Sequence, residues 1–169
     1  MSTLVAGIGN VFLGDDGFGV EVVRRIDPGR LPDGVDVVDY GIRGVHLAYE
    51  LLDGRYDTLV LVDAVSLDAP PGTVAVLDAS GHAAALSQGT LDAHSMSPDV
   101  VLATLRGLGG HIGRVFVVGC RPEVLAERME LSDRVAGAVE EAVERVVALV
   151  RDLSAPQQER RVEWMPSSC

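Results

Sequence analysis

The chain has 169 residues, of which 14 are basic and 25 are acidic, and its formal net charge at pH 7 is −11. This charge opposes binding to nucleic acid and to anionic membranes. All of the basic residues are arginine, which excludes sites that need a lysine, such as Walker-type phosphate loops and Schiff bases. The length predicts one domain, and 47% hydrophobic residues are enough to build its core.

The first half of the chain alternates between apolar runs and helical periodicity. Thr3 to Ile8 is a short apolar run typical of a buried strand, and Phe18 to Ile26 has helical spacing up to an Asp-Pro-Gly stop. A second strand is predicted over Val35 to Asp39 and a helix over Val45 to Leu52. Thr58 to Asp63 is the most apolar run and predicts a central strand buried on both faces.

The second half predicts a strand over Thr73 to Leu77, too close to its predecessor for a parallel crossover and therefore antiparallel to it. Ser97-Pro98-Asp99 is a strong helix start, with Ser97 as N-cap, for a helix reaching about Leu108. Val115 to Val118 is the last strand. A single long C-terminal helix ending near Leu153 is then predicted from valines at helical spacing, namely Val135, Val139, Val143, Val146 and Val150.

The order β-α-β-α-β-β-α-β-α predicts a three-layer α/β/α fold with a mixed, mostly parallel sheet. Residues 1–153 form one α/β domain in this interpretation. The polar, aperiodic segment 154–169 is expected to be a mobile tail. The two cysteines lie far apart in the sequence, and no basic leader or apolar run of membrane length is present, so a cytoplasmic protein is expected.

The loop from Gly7 to Gly19 joins the first strand to the first helix, where ligands bind in doubly wound folds. Its glycine spacing is G-x-G-x-x-x-x-G rather than the dinucleotide pattern G-x-G-x-x-G. Asp15 and Asp16 would repel a pyrophosphate and attract a cation at the start of the helix. The alternative is that one of the two carboxylates only caps the helix.

Three further side chains are candidates for the same edge of the sheet. Asp63 ends the central strand, Asp39 ends the second strand, and His94 precedes the Ser97 helix start. Asp63 and Asp39 could instead be turn residues, and Asp39 also occupies the place of a ribose-binding acid. If Asp16, Asp63 and His94 converge, their two carboxylates and one imidazole suit nickel or zinc with positions left open.

Other catalytic signatures are absent from the sequence, including H-E-x-x-H, G-x-S-x-G and C-x-x-C. Cys120 follows the last strand, and a small buried apolar residue is favoured over a nucleophile.

Several motifs together resemble those of the maturation endopeptidases of nickel-iron hydrogenases. They are the glycine-rich loop with Asp15 and Asp16, the strand ending in Asp63, His94 before a helix, and Gly119 with Pro122-Glu123. The resemblance covers about residues 3–153. It implies a five-stranded sheet with one antiparallel strand, and an enzyme that removes a C-terminal peptide from the hydrogenase large-subunit precursor after nickel insertion.

In such enzymes one acid of the first loop, one aspartate after the central strand and one histidine bind metal, which correspond here to Asp16, Asp63 and His94. The resemblance implies that the nickel belongs to the substrate, so the free enzyme needs no metal of its own. The chain has Asp16 where the family often has glutamate, and Asp39-Tyr40-Gly41-Ile42 where D-G-G-T is frequent.

The predicted mechanism uses the three ligands to complete the coordination of a metal held in the partner protein, which brings the scissile peptide to the sheet edge. Asp15 and Asp39 are weaker candidates for a general base. Two other functions stay open at this point: a nucleotide-binding α/β enzyme that uses Gly7, Gly9 and Asp39, and a nickel-binding assembly factor without catalytic activity.

Overall fold

The computed structural model describes residues 1–81 and 97–156 and has a sheet of five strands. The strand bounds are β1 (Thr3–Ile8), β2 (Val35–Gly41), β3 (Thr58–Ala64), β4 (Val74–Asp78) and β5 (Arg114–Cys120). The strands lie in the order β2-β1-β3-β5-β4; β1, β2, β3 and β5 are parallel, and β4 runs antiparallel to β5. The predicted fold class is therefore confirmed, and β4 lies at the edge beside β5 rather than beside its predecessor.

Five α-helices are described, together with two 3-10 turns at Gly14–Gly17 and Pro28–Arg30. The helix bounds are α1 (Phe18–Arg25), α2 (Gly44–Leu52), α3 (Pro98–Gly107), α4 (Asp133–Ala136) and α5 (Val139–Ser154). Alternate residues of the buried strands face opposite sides of the sheet, so each side has its own apolar core. Leu4, Leu59 and Val117 pack toward α2 and α3, whereas Val5, Val60 and Val118 pack toward α1 and α5.

The prediction of a single long C-terminal helix is wrong, because the chain forms α4 and α5 with a break at Gly137 and Ala138. Glycine is the poorest helix former after proline, which favours interruption at this point. The valine stripe itself is buried as predicted, from Val135 at 0% exposure to Val150 at 0%. The break leaves the spacing of the stripe intact, so periodicity identified the buried face but not the interruption.

Ser97 occupies the N-cap position of α3 with extended backbone angles, as predicted, but its side chain makes no capping hydrogen bond. Pro98 begins the helix with a residue that has no backbone N–H, so fewer donors need a cap. His94 and most of the predicted tail lie outside the described residues. Within the two described ranges, no helix is both long enough and apolar enough to cross a membrane.

Candidate active site

The glycine-rich loop brings the start of α1 against the carboxyl ends of β1 and β3. A Cβ atom on Gly19 would lie 1.9 Å from the carbonyl oxygen of Val62 and 2.6 Å from that of Ile8. Gly9 has a φ of +128°, and a Cβ there would lie 1.9 Å from the carbonyl oxygen of Asp16. The backbone can approach this closely only without side chains, and the consequence is that Asp16 sits at the end of β1.

Asp16 is half-buried, and its Oδ2 accepts a hydrogen bond of 2.7 Å from the backbone N–H of Asn10. Burial raises the pKa of its carboxyl, and the Asn10 hydrogen bond offsets part of that rise. The bond also fixes one oxygen of Asp16, while the sheet edge holds the turn that carries it. The carboxylate is thus held in one place and made more basic than an ordinary aspartate.

Asp63 lies at the end of β3 and is 3% exposed. Its Oδ1 is buried and has no hydrogen-bond partner among the described residues. Burial first, and the charge of Asp16 second, raise the pKa of Asp63 well above its ordinary value, against a smaller opposing effect of the Ala64 N–H. A Cβ on Gly9 would lie 3.5 Å from Oδ1 of Asp63, so the glycine keeps the space beside this oxygen clear.

The structure therefore brings together two of the three predicted ligands, Asp16 and Asp63, at the expected edge of the sheet. Within residues 1–81 and 97–156, no group of three or more His, Cys, Asp or Glu side chains could hold a metal ion. The third predicted ligand, His94, falls outside those residues, so the full set stays a prediction. An unpartnered, buried carboxylate oxygen beside a second carboxylate fits a divalent cation, because oxygen donors and negative charge are what such an ion needs.

Asp15, the neighbour of Asp16, is fully buried and accepts four hydrogen bonds. Its Oδ2 accepts from the N–H groups of Glu123 (2.8 Å) and Val124 (2.7 Å) and from Oγ of Ser132 (2.8 Å), and its Oδ1 accepts from the N–H of Ser132 (2.6 Å). Burial raises the pKa of Asp15, but these hydrogen bonds outweigh it and the pKa is lowered. With its lone pairs engaged, Asp15 is unsuited to act as a general base.

Neither aspartate caps α1, whose N-cap residue is Gly17 and which receives no capping hydrogen bond from a side chain. The capping alternative is therefore wrong for both. The sequence did not reveal the role of Ser132, which is separated from Asp15 by 117 positions and belongs to no recognisable motif.

Asp39 forms an ion pair with Arg24, with 2.9 Å between its Oδ2 and the guanidinium nitrogen Nη2. This ion pair gives Asp39 a structural role at the surface. Cys120 is fully buried, and burial followed by the nearby charge of Asp15 raises the pKa of its thiol to about 11. The thiol is protonated at neutral pH and packs as a small apolar side chain, as its position in the sequence indicated.

An open cleft of about 450 Å³ lies beside the loop that carries Asn10 and was not predicted from the sequence. Asn10, whose N–H holds Asp16, lines it, and the opposite wall comes from the segment after β5. Two of its apolar side chains are unusually exposed, Phe12 at 62% and Met129 at 70%. The other lining residues are Leu13, Glu127 and Arg128.

Comparison with known proteins identifies the family. The family model of the hydrogenase maturation proteases matches residues 20–149. The hydrogenase 2 maturation protease of Escherichia coli is 32% identical over 154 residues, which span 90% of this chain and 92% of that protein.

Solved structures agree with this assignment. The hydrogenase maturating endopeptidase HybD from Escherichia coli has a TM-score of 0.76 at 32% identity and covers 91% of this chain and 94% of its own. The hydrogenase 2 maturation peptidase of a Thaumarchaeota archaeon has a TM-score of 0.65 at 32% identity, and the match covers 89% of this chain and 98% of that one. The chain therefore belongs to the hydrogenase maturation protease family and is a protease.

Proposed function

We propose that this protease removes a C-terminal extension from the large-subunit precursor of a nickel-iron hydrogenase after nickel has been inserted. In this proposal the nickel is part of the substrate and is the feature that the enzyme recognises. Asp16 and Asp63 bind to it, and His94 supplies a third ligand. The names of the relatives support maturation of hydrogenases, and the two carboxylates support recognition of a metal.

The observation that carries the proposal is Oδ1 of Asp63, which is buried and lacks a hydrogen-bond partner within the described part of the chain. Leaving a polar atom in this condition costs about 1–3 kcal/mol, and more if the group is charged. A dication in contact with Asp63 and Asp16 removes both this cost and the repulsion between the two carboxylates. The site is therefore unfavourable alone and complementary to a metal that arrives with another protein.

The residues of this chain have separate tasks in the proposed reaction. Asp16, held by the Asn10 N–H, and Asp63, held at the end of β3, fix the metal-bearing segment of the precursor against the sheet edge. This contact places the scissile peptide beside the same edge, and the bound metal supplies Lewis acidity for its hydrolysis. Because an empty precursor lacks the recognised ion, it stays uncut.

The direct test is to incubate the purified precursor, with and without nickel, with this protein and to measure the mass of the intact precursor. The nickel-loaded precursor should lose its C-terminal peptide, and the nickel-free one should keep its full mass. Equal cleavage of both would contradict the metal-recognition part of the proposal. Binding without any loss of mass would favour an assembly factor, and binding of a dinucleotide without cleavage would favour a nucleotide enzyme.

Substitutions test whether the three proposed ligands are needed for cleavage. We expect Asp16→Asn, Asp63→Asn and His94→Ala each to reduce cleavage by about 100-fold or more, as for groups that touch the reacting centre. Asp78→Asn is the matched control, since Asp78 is exposed and lies at the end of the antiparallel strand β4, at the opposite edge of the sheet. Wild-type cleavage by a variant carrying both Asp16→Asn and His94→Ala would refute the assignment of these residues.

A further inference from the structure

The buried carboxylate of Asp15 has no direct part in the proposed chemistry, yet it lies in the same 3-10 turn as Asp16. Its four described partners are all neutral donors: three backbone N–H groups and one hydroxyl. A buried carboxylate is costly to desolvate unless several donors surround it. An arrangement of this kind restricts the carboxylate, and the segments bonded to it, to one geometry.

Asp15 joins its own turn to a segment that lies more than 100 positions later in the sequence. Glu123 and Val124 begin the segment after β5, and Ser132 ends it just before α4. Ser132 stands at the N-cap position of α4, but its hydroxyl donates to Asp15 instead of capping that helix. Both ends of the segment 123–132 are therefore tied to one carboxylate.

Backbone hydrogen bonds also join the glycine-rich loop to the segment 123–132. The N–H of Gly14 donates to the carbonyl of Arg128 at 2.7 Å, and the N–H of Arg128 donates to the carbonyl of Phe12 at 3.0 Å. Asp15 and Val124 exchange a second bond, from the Asp15 N–H to the Val124 carbonyl at 2.9 Å. These contacts bring the two walls of the cleft together, with Phe12 on one side and Arg128 on the other.

Asp16 depends on the same turn. Its N–H donates to the Leu13 carbonyl at 3.3 Å, and its side chain accepts from Asn10, which also lines the cleft. A displacement of Asp15 would therefore move the backbone that carries Asp16 and separate the walls of the cleft. Misplacement of a reacting group by about 1 Å is enough to reduce a rate by about 100-fold.

We propose that Asp15 is a positioning residue that holds both the Asp16 carboxylate and the segment 123–132 in their working geometry through its hydrogen bonds to Glu123, Val124 and Ser132. The inference rests on the proposed function only in taking Asp16 as a residue that contacts the substrate. Its effect on cleavage is indirect, through the place of Asp16 and the width of the cleft.

The test compares Asp15→Asn and Ser132→Ala with the wild type. An asparagine keeps the size of the side chain, but its NH2 group must face at least one backbone N–H, from Ser132 or from Glu123 and Val124. We expect kcat to fall about 10-fold or more and KM to rise. Ser132→Ala removes one of the four bonds and should give a smaller loss of kcat, below about 10-fold.

Two measurements report on position without any cleavage. The amide proton of Asn10, followed by NMR, senses its hydrogen bond to Asp16 and should shift in both variants, more in Asp15→Asn. Hydrogen exchange of the Glu123, Val124 and Ser132 amides should become faster in Asp15→Asn than the exchange of the β-sheet amides. A failure of the wild type to cut the precursor overturns the proposed function, whereas these two measurements decide the present inference independently.

Val150→Ala, at a buried position of α5, is the control for loss of stability alone. It should lower the melting temperature while leaving kcat, KM and the Asn10 amide unchanged. The inference is overturned if Asp15→Asn leaves the Asn10 amide and kcat as in the wild type, or if Val150→Ala, at equal melting temperature, loses as much kcat. If Asp15→Asn does not fold, an unchanged Asn10 amide and kcat in Ser132→Ala overturn it equally.

Discussion

At the scale of one residue, Asp63 shows how a buried carboxylate reduces the stability of the fold that contains it. Its carboxyl is buried beside Asp16, and these two causes raise its pKa well above the ordinary value of 3.8. The folded chain then binds a proton at Asp63 more tightly than the unfolded chain does. Ionisation of Asp63 in the folded chain therefore lowers the free energy of unfolding.

We predict that Asp63→Asn raises the free energy of unfolding at neutral pH, because the neutral amide removes the charge that burial disfavours. Well below pH 3.8 the wild-type carboxyl is protonated in both states, so the two proteins should differ least at the acid end of the series. The advantage of the variant should grow as the pH rises from there and level off above the folded pKa of Asp63. Urea denaturation between pH 3.5 and pH 8 measures this difference.

The matched control for that series is Asp78→Asn, at an exposed aspartate of β4. Hydrogen bonds to Ser80 lower the pKa of Asp78, so the stability of this variant relative to the wild type should not grow with pH but fall slightly. If Asp63→Asn is less stable than the wild type throughout the pH range, the buried carboxylate of Asp63 does not lower the free energy of unfolding of the wild type. The same variant should lose cleavage, so that stability and activity change in opposite directions at one position.

The sequence indicates the residues of this candidate site, but it does not show which of the two adjacent aspartates is held by other residues and which faces the sheet edge. Asp15 and Asp16 are adjacent and chemically identical, and the pattern of glycines around them supports either as a ligand. The difference comes from partners at Glu123, Val124 and Ser132, 108 to 117 positions away. A contact across such a distance has no signature in local spacing, so only the folded chain separates the two roles.

At the scale of elements, the position of Asp16 depends on how closely α1 approaches the sheet. The Gly19 position leaves no room for a methyl group, since a Cβ there would lie 1.9 Å from the Val62 carbonyl oxygen. We predict that Gly19→Ala lowers the free energy of unfolding by about 3 kcal/mol, the upper end of the usual cost of overpacking, because a backbone oxygen cannot move aside. Urea denaturation checks this value.

Gly107→Ala is the control, because Gly107 is also helical, at the end of α3, and a Cβ there would meet nothing within 4 Å. Alanine favours the helix over glycine, so this variant should be about as stable as the wild type or up to about 1 kcal/mol more stable. Equal stability of the two variants would show that α1 can move away from β3 without loss, and that the close approach is not required.

The elements themselves were largely predictable, because apolar runs and helical spacing report burial directly. The run from Thr58 to Asp63 became β3, and the short connection before Thr73 correctly predicted a reversed strand. The interruption at Gly137 was missed since the valine stripe continues across it. Periodicity identifies which face is buried, whereas the exact path of the backbone depends on local dihedral preferences that a single glycine can change.

At the scale of the whole molecule, the topology explains why residues far apart in the sequence share one site. Strands β1, β3 and β5 are parallel neighbours in the sheet, so their carboxyl ends meet at one edge. The glycine-rich loop leaves from β1, Asp63 ends β3, and the segment that Asp15 holds follows β5. The sequence predicted this edge from the strand order, whereas the cleft beside it arises from packing between loops.

The overall charge leads to the last prediction. The net charge of −11 produces repulsion within the folded chain, whereas the described ion pairs lie at the surface, with every partner at least 31% exposed, and are worth about 0–1 kcal/mol each. Salt screens both the repulsion and the ion pairs, and the excess of negative charge should dominate at pH 7.

We therefore expect the melting temperature to rise by about 2–4 °C between 20 and about 500 mM sodium chloride, equivalent to about 1 kcal/mol. Near the isoelectric point of about 4.6 the net charge vanishes, so the rise should disappear or reverse. A melting temperature that falls with salt at pH 7 would mean that attractive pairs outweigh the repulsion.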